Sequence, residues 1–252
     1  MSGDARPRLF CFHHAGAGVS SFARWQRVFG ESREVVPVLL PGRDARAAEP
    51  RITGPDRLTA ELLDTLGRLL DRPYALYGHS LGGLVAHTLA RAVARLGLRE
   101  PDLVVLGAVL PPHLPSPLLP ATAAPDHELL CRLVAQGQLP REALEEDEDG
   151  IWHRRALPVI RDDLRLAAAL RTAAGEPLHV PVLAVAGRED AIAPAHKAEQ
   201  WRAHTTAGFA LRTVAGGHFF VRDAELPRLL SEELHASAYA SPAVVRPKSS
   251  TF

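Results

Sequence analysis

Charge of one sign is what this sequence most plainly lacks. Its 252 residues carry 29 Lys and Arg against 29 Asp and Glu, a formal net charge of zero. That balance argues against a nucleic-acid binder steered by a basic field. Cysteine is scarce too: Cys11 and Cys131 are the only two, too few for a disulfide scaffold. Cys11 lies in an apolar run and reads as a buried free thiol. No stretch reaches 18 uninterrupted apolar residues, so no membrane span is expected. The opening MSGDARPRLF has no apolar h-region of a signal peptide, and a cytoplasmic protein is the expectation. Glycine and proline, 19 and 21 residues, are only modestly above average, which excludes a disordered or collagenous chain. What is present is an ordinary globular mix, 46% hydrophobic and 23% charged. A chain of this length buries roughly three quarters of its unfolded surface and needs no metal or disulfide staple.

The hydrophobic pattern alternates between short runs and helical spacing. Strands are predicted at Leu9–His13, 35–40, 75–77, 103–110, 179–187 and over FALRTVAG near 209–216. Pro37 inside the second favours an edge strand or a bulge. Helices are predicted after Ser20-Ser21 (with Phe22, Trp25 and Phe29 on one face), from Pro55 to about Leu70, and over about 83–96, 194–204 and 223–237. This alternation means βαβ units and a mostly parallel sheet, with helices on both faces. It breaks at PPHLPSPLLPATAAP, whose six prolines in 15 residues suit neither strand nor helix. Two helical patches follow, about 126–135 and 151–170. The segment 111–175 is too long for an ordinary connection, and reads as a mobile helical lid inserted over the carboxyl edge of the sheet. The expected organisation is one domain over 1–240 with a loose tail at 241–252. The acidic run 145–149 lacks the ligand spacing of a calcium loop and reads as a solvated or mobile lid loop.

The strongest local signal is Gly78-His79-Ser80-Leu81-Gly82, a G-x-S-x-G between a predicted strand and helix. A serine on such a sharp turn projects its oxygen from the backbone, near a helix N-terminus that favours negative charge. It still needs a base. Of 12 histidines, His218 is best placed, because it follows the last predicted strand in AGGHFF. His79 adjoins Ser80 but should diverge from it, as a packing or hydrogen-bonding residue. His13 and His14 are placed to line the pocket, and no third ligand supports a metal there. The acid that holds the base is Asp190 in GREDAIAP, with Glu189 as its neighbouring competitor. Asp102 precedes its strand and belongs to the wrong end. The order Ser80, Asp190, His218 is that of an α/β-hydrolase. The oxyanion donors would be the backbone N–H of Leu81 and one from His13-His14-Ala15-Gly16, assigned to Ala15. Gly16-x-Gly18 lacks the third glycine of a dinucleotide loop and the GK[ST] of a phosphate loop, so a nucleotide site is not expected.

These motifs resemble those of the type II thioesterases that accompany nonribosomal peptide and polyketide synthases, over residues 8 to 237. The resemblance rests on FHHAGAGVSSFARW, VPVLLPGRDARAAEP, YGHSLGG, GREDAIAP and GGHFF. It departs at Ala17, where consecutive glycines are common, and that methyl group would narrow the loop. The resemblance implies hydrolysis of an acyl thioester on the phosphopantetheine arm of an acyl or peptidyl carrier protein, clearing wrong or stalled groups. The charge balance and the missing span leave no nucleic-acid or membrane partner expected, and a monomer is the expectation although the sequence does not fix the oligomeric state. The enzyme would have no cofactor of its own, since the arm arrives with the partner. An esterase or lipase acting on free small esters is the competing enzyme reading, separable by activity on carrier thioesters against oxyesters. A non-catalytic hydrolase-like binding protein is the other, separable by covalent labelling. Leu114, Leu118, Leu119, Leu129, Leu133 and Leu166 are the candidates to line the acyl site or to hold the lid helices together.

Overall fold

The computed structural model describes residues 6–145 and 150–240. Six strands form one sheet: β1 (Arg8–Phe12), β2 (Glu34–Val38), β3 (Tyr74–His79), β4 (Leu103–Gly107), β5 (Val182–Gly187) and β6 (Phe209–Val214). Their order is β2-β1-β3-β4-β5-β6, and every pairing is parallel. All carboxyl ends therefore lie along one edge.

Successive strand residues face opposite sides, and here both sides are dry. Phe10, Phe12, Leu76, Val104, Leu106 and Ala184 pack under α2 (Pro55–Leu66) and α3 (Leu81–Arg95). Leu9, Cys11, Tyr77, Val105 and Val185 pack under α1 (Trp25–Phe29) and α7 (Glu225–Ala240). Cys11 is buried, and burial raises its thiol well above its ordinary value. β2 is an edge strand, which tolerates Pro37 because the missing N–H faces no further strand.

The first predicted helix is shorter than its spacing suggests. A 3₁₀ turn over Val19–Phe22 precedes α1, neither with a side-chain cap. The aromatic trio is nevertheless buried as a cluster, with Trp25 4.9 Å from the Tyr77 ring. The fourth strand stops at Gly107 rather than 110, because Ala108 turns into the left-handed region at φ 51°.

Between β4 and β5 lie α4 (Asp126–Ala135), a π-helical turn (Trp152–Ala156) and α5 (Leu157–Thr172), with α6 (Ala195–Ala198) following β5. Leu129, Leu133, Leu157, Ile160 and Leu164 form a cluster of their own, whereas Leu166 and Leu170 join the core beneath the sheet. α5 thus serves two cores. The proline-dense segment forms one 3₁₀ turn, Leu119–Ala123, despite its prolines, and is otherwise held by arginines of α5. Arg161 donates to the Thr122 and Ala124 carbonyls, and Arg171 to those of Leu110, Pro111 and Leu114. The acidic residues 146–149 and the expected tail 241–252 fall outside the described residues. No described helix is long and apolar enough to cross a membrane.

Candidate active site

Ser80 occupies the turn between β3 and α3 with φ 54° and ψ −114°, a backbone conformation uncommon for residues other than glycine. The glycines around it are dictated by space. A Cβ at Gly78 would lie 1.9 Å from the Gly82 carbonyl oxygen, and one at Gly82 would lie 2.1 Å from that of Phe12. Neither backbone can yield, so the turn closes only with glycine at both positions. The Ser80 amide donates to Gly107 O at 2.8 Å, tying the turn to the end of β4.

The three residues at the ends of β3, β5 and β6 meet at this edge. Ser80 Oγ lies 3.1 Å from His218 Nε2, and His218 Nδ1 lies 2.9 Å from Asp190 Oδ2. Asp190 Oδ1 accepts the amides of Ile192 and Ala193 at 2.8 and 2.9 Å. Burial raises the Asp190 pKa, but the His218 hydrogen bond and charge and those two amides outweigh it, so the carboxyl sits below its ordinary value. A permanently ionised Asp190 fixes the proton on Nδ1 and leaves Nε2 free to accept from Ser80. Glu189 is exposed, and it is Asp190 that contacts His218. Asp102 sits at the opposite edge, its amide on the Tyr74 carbonyl.

His79 does diverge from Ser80. Its Nε2 lies 2.7 Å from the His218 carbonyl, which can only accept, so Nε2 carries the proton and Nδ1 accepts from the Tyr77 hydroxyl at 2.7 Å. It therefore positions the main chain of His218. His14 Nδ1–H donates to Ala15 O at 3.0 Å and its ring packs on Phe219, while His13 donates to His14 O at 2.9 Å. No group of His, Cys, Asp and Glu suited to a metal occurs among the described residues.

One space opens at Ser80 and a second lies beside it. An inner cavity of about 40 Å³ is bounded by Ser80, Leu81, Leu118, Leu164, Ala167 and Phe219. At 10–15 Å³ per water it holds about three waters, the bulk of a short acyl group. An outer groove of about 1040 Å³ is lined by Arg43, Arg51, Arg154, Arg155 and Arg222, against a single acid among the described residues, Asp44. His14, Ala15 and Gln138 border both spaces. Of the six leucines named from sequence, only Leu118 and Leu119 reach the cavity. Leu129 and Leu133 are the core of the insert, Leu166 belongs beneath the sheet, and Leu114 meets Arg171 through its carbonyl. Ala15 and Leu81 border the cavity, whereas Ala17 faces the groove, so its methyl group does not narrow the space at Ser80.

Sequence reasoning missed a buried ion pair beside this site. Arg43 Nη2 lies 2.7 Å from Asp163 Oδ1, and Asp163 Oδ2 also accepts the Gly16 amide at 2.8 Å. The one available signal was an aspartate on the apolar face of a lid helix, flanked by Ile160, Leu164 and Ala167.

Among the buried histidines, burial lowers the pKa of His13, His14, His79 and His87, to about 3 for His14 and His87. In the unfolded chain they titrate near 6.5. Below pH 6.5 the unfolded state therefore binds protons that the folded state refuses, and stability falls as pH falls toward the folded values. Melting temperature should drop between pH 7 and pH 5, by an amount equivalent to about 2 kcal/mol at pH 5 for each of His14 and His87. His87→Leu should remove about one proton from that dependence. A melting temperature that is flat over this range would contradict the assignment of neutral buried imidazoles.

A parallel sheet with a serine turn, an acid and a histidine at the ends of β3, β5 and β6 defines an α/β-hydrolase. Comparison with known proteins narrows the class. The family model described as a thioesterase domain matches residues 7–237. The linear gramicidin dehydrogenase LgrE of Brevibacillus parabrevis is 33% identical over 222 residues, covering 88% of this chain and 84% of that one. The RedJ thioesterase of the prodiginine pathway in Streptomyces coelicolor has a TM-score of 0.81 at 33% identity, over 92% of this chain and 86% of that one. The type II thioesterase BorB of the borrelidin cluster has a TM-score of 0.77 at 30% identity, over 92% and 94%. The chain belongs to the thioesterase family and is a thioesterase.

Proposed function

We propose that this enzyme hydrolyses acyl thioesters on the phosphopantetheine arm of acyl or peptidyl carrier proteins, clearing aberrant or stalled groups in polyketide or nonribosomal peptide biosynthesis. Ser80 Oγ attacks the thioester carbonyl and passes its proton to His218 Nε2. The tetrahedral oxyanion is met by the Ala15 and Leu81 amides, and its collapse expels the thiolate, which takes the proton from His218. Water, deprotonated by His218, then attacks the acyl-Ser80 ester and releases the acid. Asp190 stays ionised throughout and stabilises the imidazolium.

One observation carries the choice of substrate: a small, largely apolar cavity at Ser80 and an arginine-lined groove lie side by side, with His14, Ala15 and Gln138 bordering both. The cavity suits the acyl group. The groove suits a long arm bearing a phosphodiester and, at its mouth, an acidic carrier surface. Arg43 and Arg51 are paired with Asp163 and Asp162, while Arg154, Arg155 and Arg222 are exposed without an ion-pair partner among the described residues. Those three remain available to phosphate. The printed names of RedJ and BorB, a prodiginine-pathway thioesterase and a type II thioesterase, support the same reading. The test compares kcat/KM for acyl-carrier, acyl-pantetheine and p-nitrophenyl ester. The carrier thioester should lead by at least about tenfold, equivalent to about 1.4 kcal/mol. Equal rates on the free ester would favour the esterase reading.

A cavity of about 40 Å³ takes only short acyl groups unless the insert moves, so seating of the insert would set chain-length preference. Leu118→Trp should cut kcat/KM for octanoyl-carrier by roughly tenfold or more while leaving acetyl-carrier within about twofold, at about 0.8 kcal/mol per methylene excluded. An unchanged chain-length profile in the folded variant would place acyl recognition elsewhere. Leu133→Trp should instead disrupt the core of the insert, because Leu133 does not reach the cavity.

A further inference from the structure

The loop that follows β1 is held largely by residues of the insert between β4 and β5. Ala15 O accepts Gln138 Nε2 at 2.7 Å, from the turn after α4. The Gly16 amide donates to Asp163 Oδ2 at 2.8 Å, from α5. Asp163 is itself clamped by Arg43, whose two terminal nitrogens lie 2.7 and 2.8 Å from its oxygens, and whose Nη1 also donates to Ala17 O at 3.2 Å. Both side chains are almost wholly buried, at 7% and 2% exposure. Gly16 adopts φ +73° with Ile160 of α5 so close that a Cβ would lie 2.5 Å from it. Two peptide groups, Ala15–Gly16 and Ala17–Gly18, are thus pinned by Gln138, Asp163 and Arg43.

We infer that Gln138 and Asp163 are positioning residues for the oxyanion hole, so that the Ala15 amide is aligned only while the helical insert is seated. This rests on the reading that Ser80 is the nucleophile and Ala15 an oxyanion donor. A buried ion pair is a poor way to gain stability, because desolvation offsets most of its attraction. Its use here is geometric: a bidentate Arg–carboxylate pair fixes direction as well as distance, and its remaining lone pair is aimed at a loop amide. The same helix lines the acyl cavity through Leu164 and Ala167, one to four residues from Asp163. An acyl group that lifts α5 would therefore also withdraw support from the oxyanion loop. Acyl fit and transition-state stabilisation become one event, which is what a discriminating hydrolase requires.

The test uses two ligands of Ser80. An acyl trifluoromethyl ketone forms a tetrahedral adduct with an oxyanion, whereas an amide-linked acyl-pantetheine resembles only the ground state. In the Arg43→Met/Asp163→Leu double variant, which leaves no unpaired charge, kcat should fall by about 100-fold with KM within about threefold. Affinity for the ketone should fall by a similar factor, and affinity for the amide should not change. Gln138→Ala, at a half-buried side chain that does not compromise folding, should show the same selective loss at about tenfold. Asp163→Asn keeps an acceptor for the Gly16 amide and should recover most of the ketone affinity. If the double variant does not fold, the Gln138 and Asn variants decide. Parental ketone affinity in folded Gln138→Ala and Arg43→Met/Asp163→Leu would overturn the inference, as would equal loss for ketone and amide. Absence of a ketone adduct in the unmodified enzyme would instead overturn the Ser80 reading beneath it.

Discussion

Ser80→Ala should lower kcat by about 10⁴- to 10⁶-fold on any acyl thioester, with the fold intact. The magnitude follows from the loss of the covalent step itself, since the oxyanion donors and the binding spaces remain. Neither Cys11 nor His79 is placed to substitute. Cys11 is fully buried in the sheet with its thiol pKa raised, and His79 spends both ring nitrogens on Tyr77 and the His218 carbonyl. A fluorophosphonate should therefore add one mass equivalent to the parent enzyme and none to the alanine variant. Labelling that persists at another residue, with activity retained, would remove Ser80 from its role.

Asp190→Asn should lower kcat by about 10³- to 10⁴-fold, and the reason can be followed atom by atom. Asp190 Oδ1 accepts two amides, from Ile192 and Ala193, so asparagine will keep its carbonyl oxygen there. Its NH₂ group then faces His218 Nδ1, which must accept. The ring proton moves to Nε2, where the imidazole can no longer take the proton of Ser80. Glu189→Gln should change kcat by less than about twofold, because that side chain is exposed and Asp190 makes the contact. A reversed ranking of the two variants would contradict the geometry of the loop after β5.

Much of this site was legible because chain punctuation marks strand ends. Glycine-bearing turns follow β1, β3, β5 and β6, and in a parallel sheet all such turns share one edge. Pro37 likewise announced an edge strand. Element ends were less legible where one residue decides: Ala108 at φ 51° ends β4 three residues before its apolar run does. Periodicity assigned Leu129 and Leu133 to an inward face, but it cannot say whether that face meets a ligand or another helix. Here it meets the rest of the insert. The Arg43–Asp163 pair was invisible for a different reason, since its partners are 120 residues apart and no local spacing links them.

The most direct measurement is intact mass of an acylated carrier protein after incubation with the parent enzyme and with Ser80→Ala. The account predicts that the parent enzyme removes the acyl mass and leaves the free phosphopantetheine thiol, while the alanine variant leaves the acyl-carrier unchanged. An acyl-carrier that survives the parent enzyme, under conditions where a small free ester is hydrolysed, would contradict it.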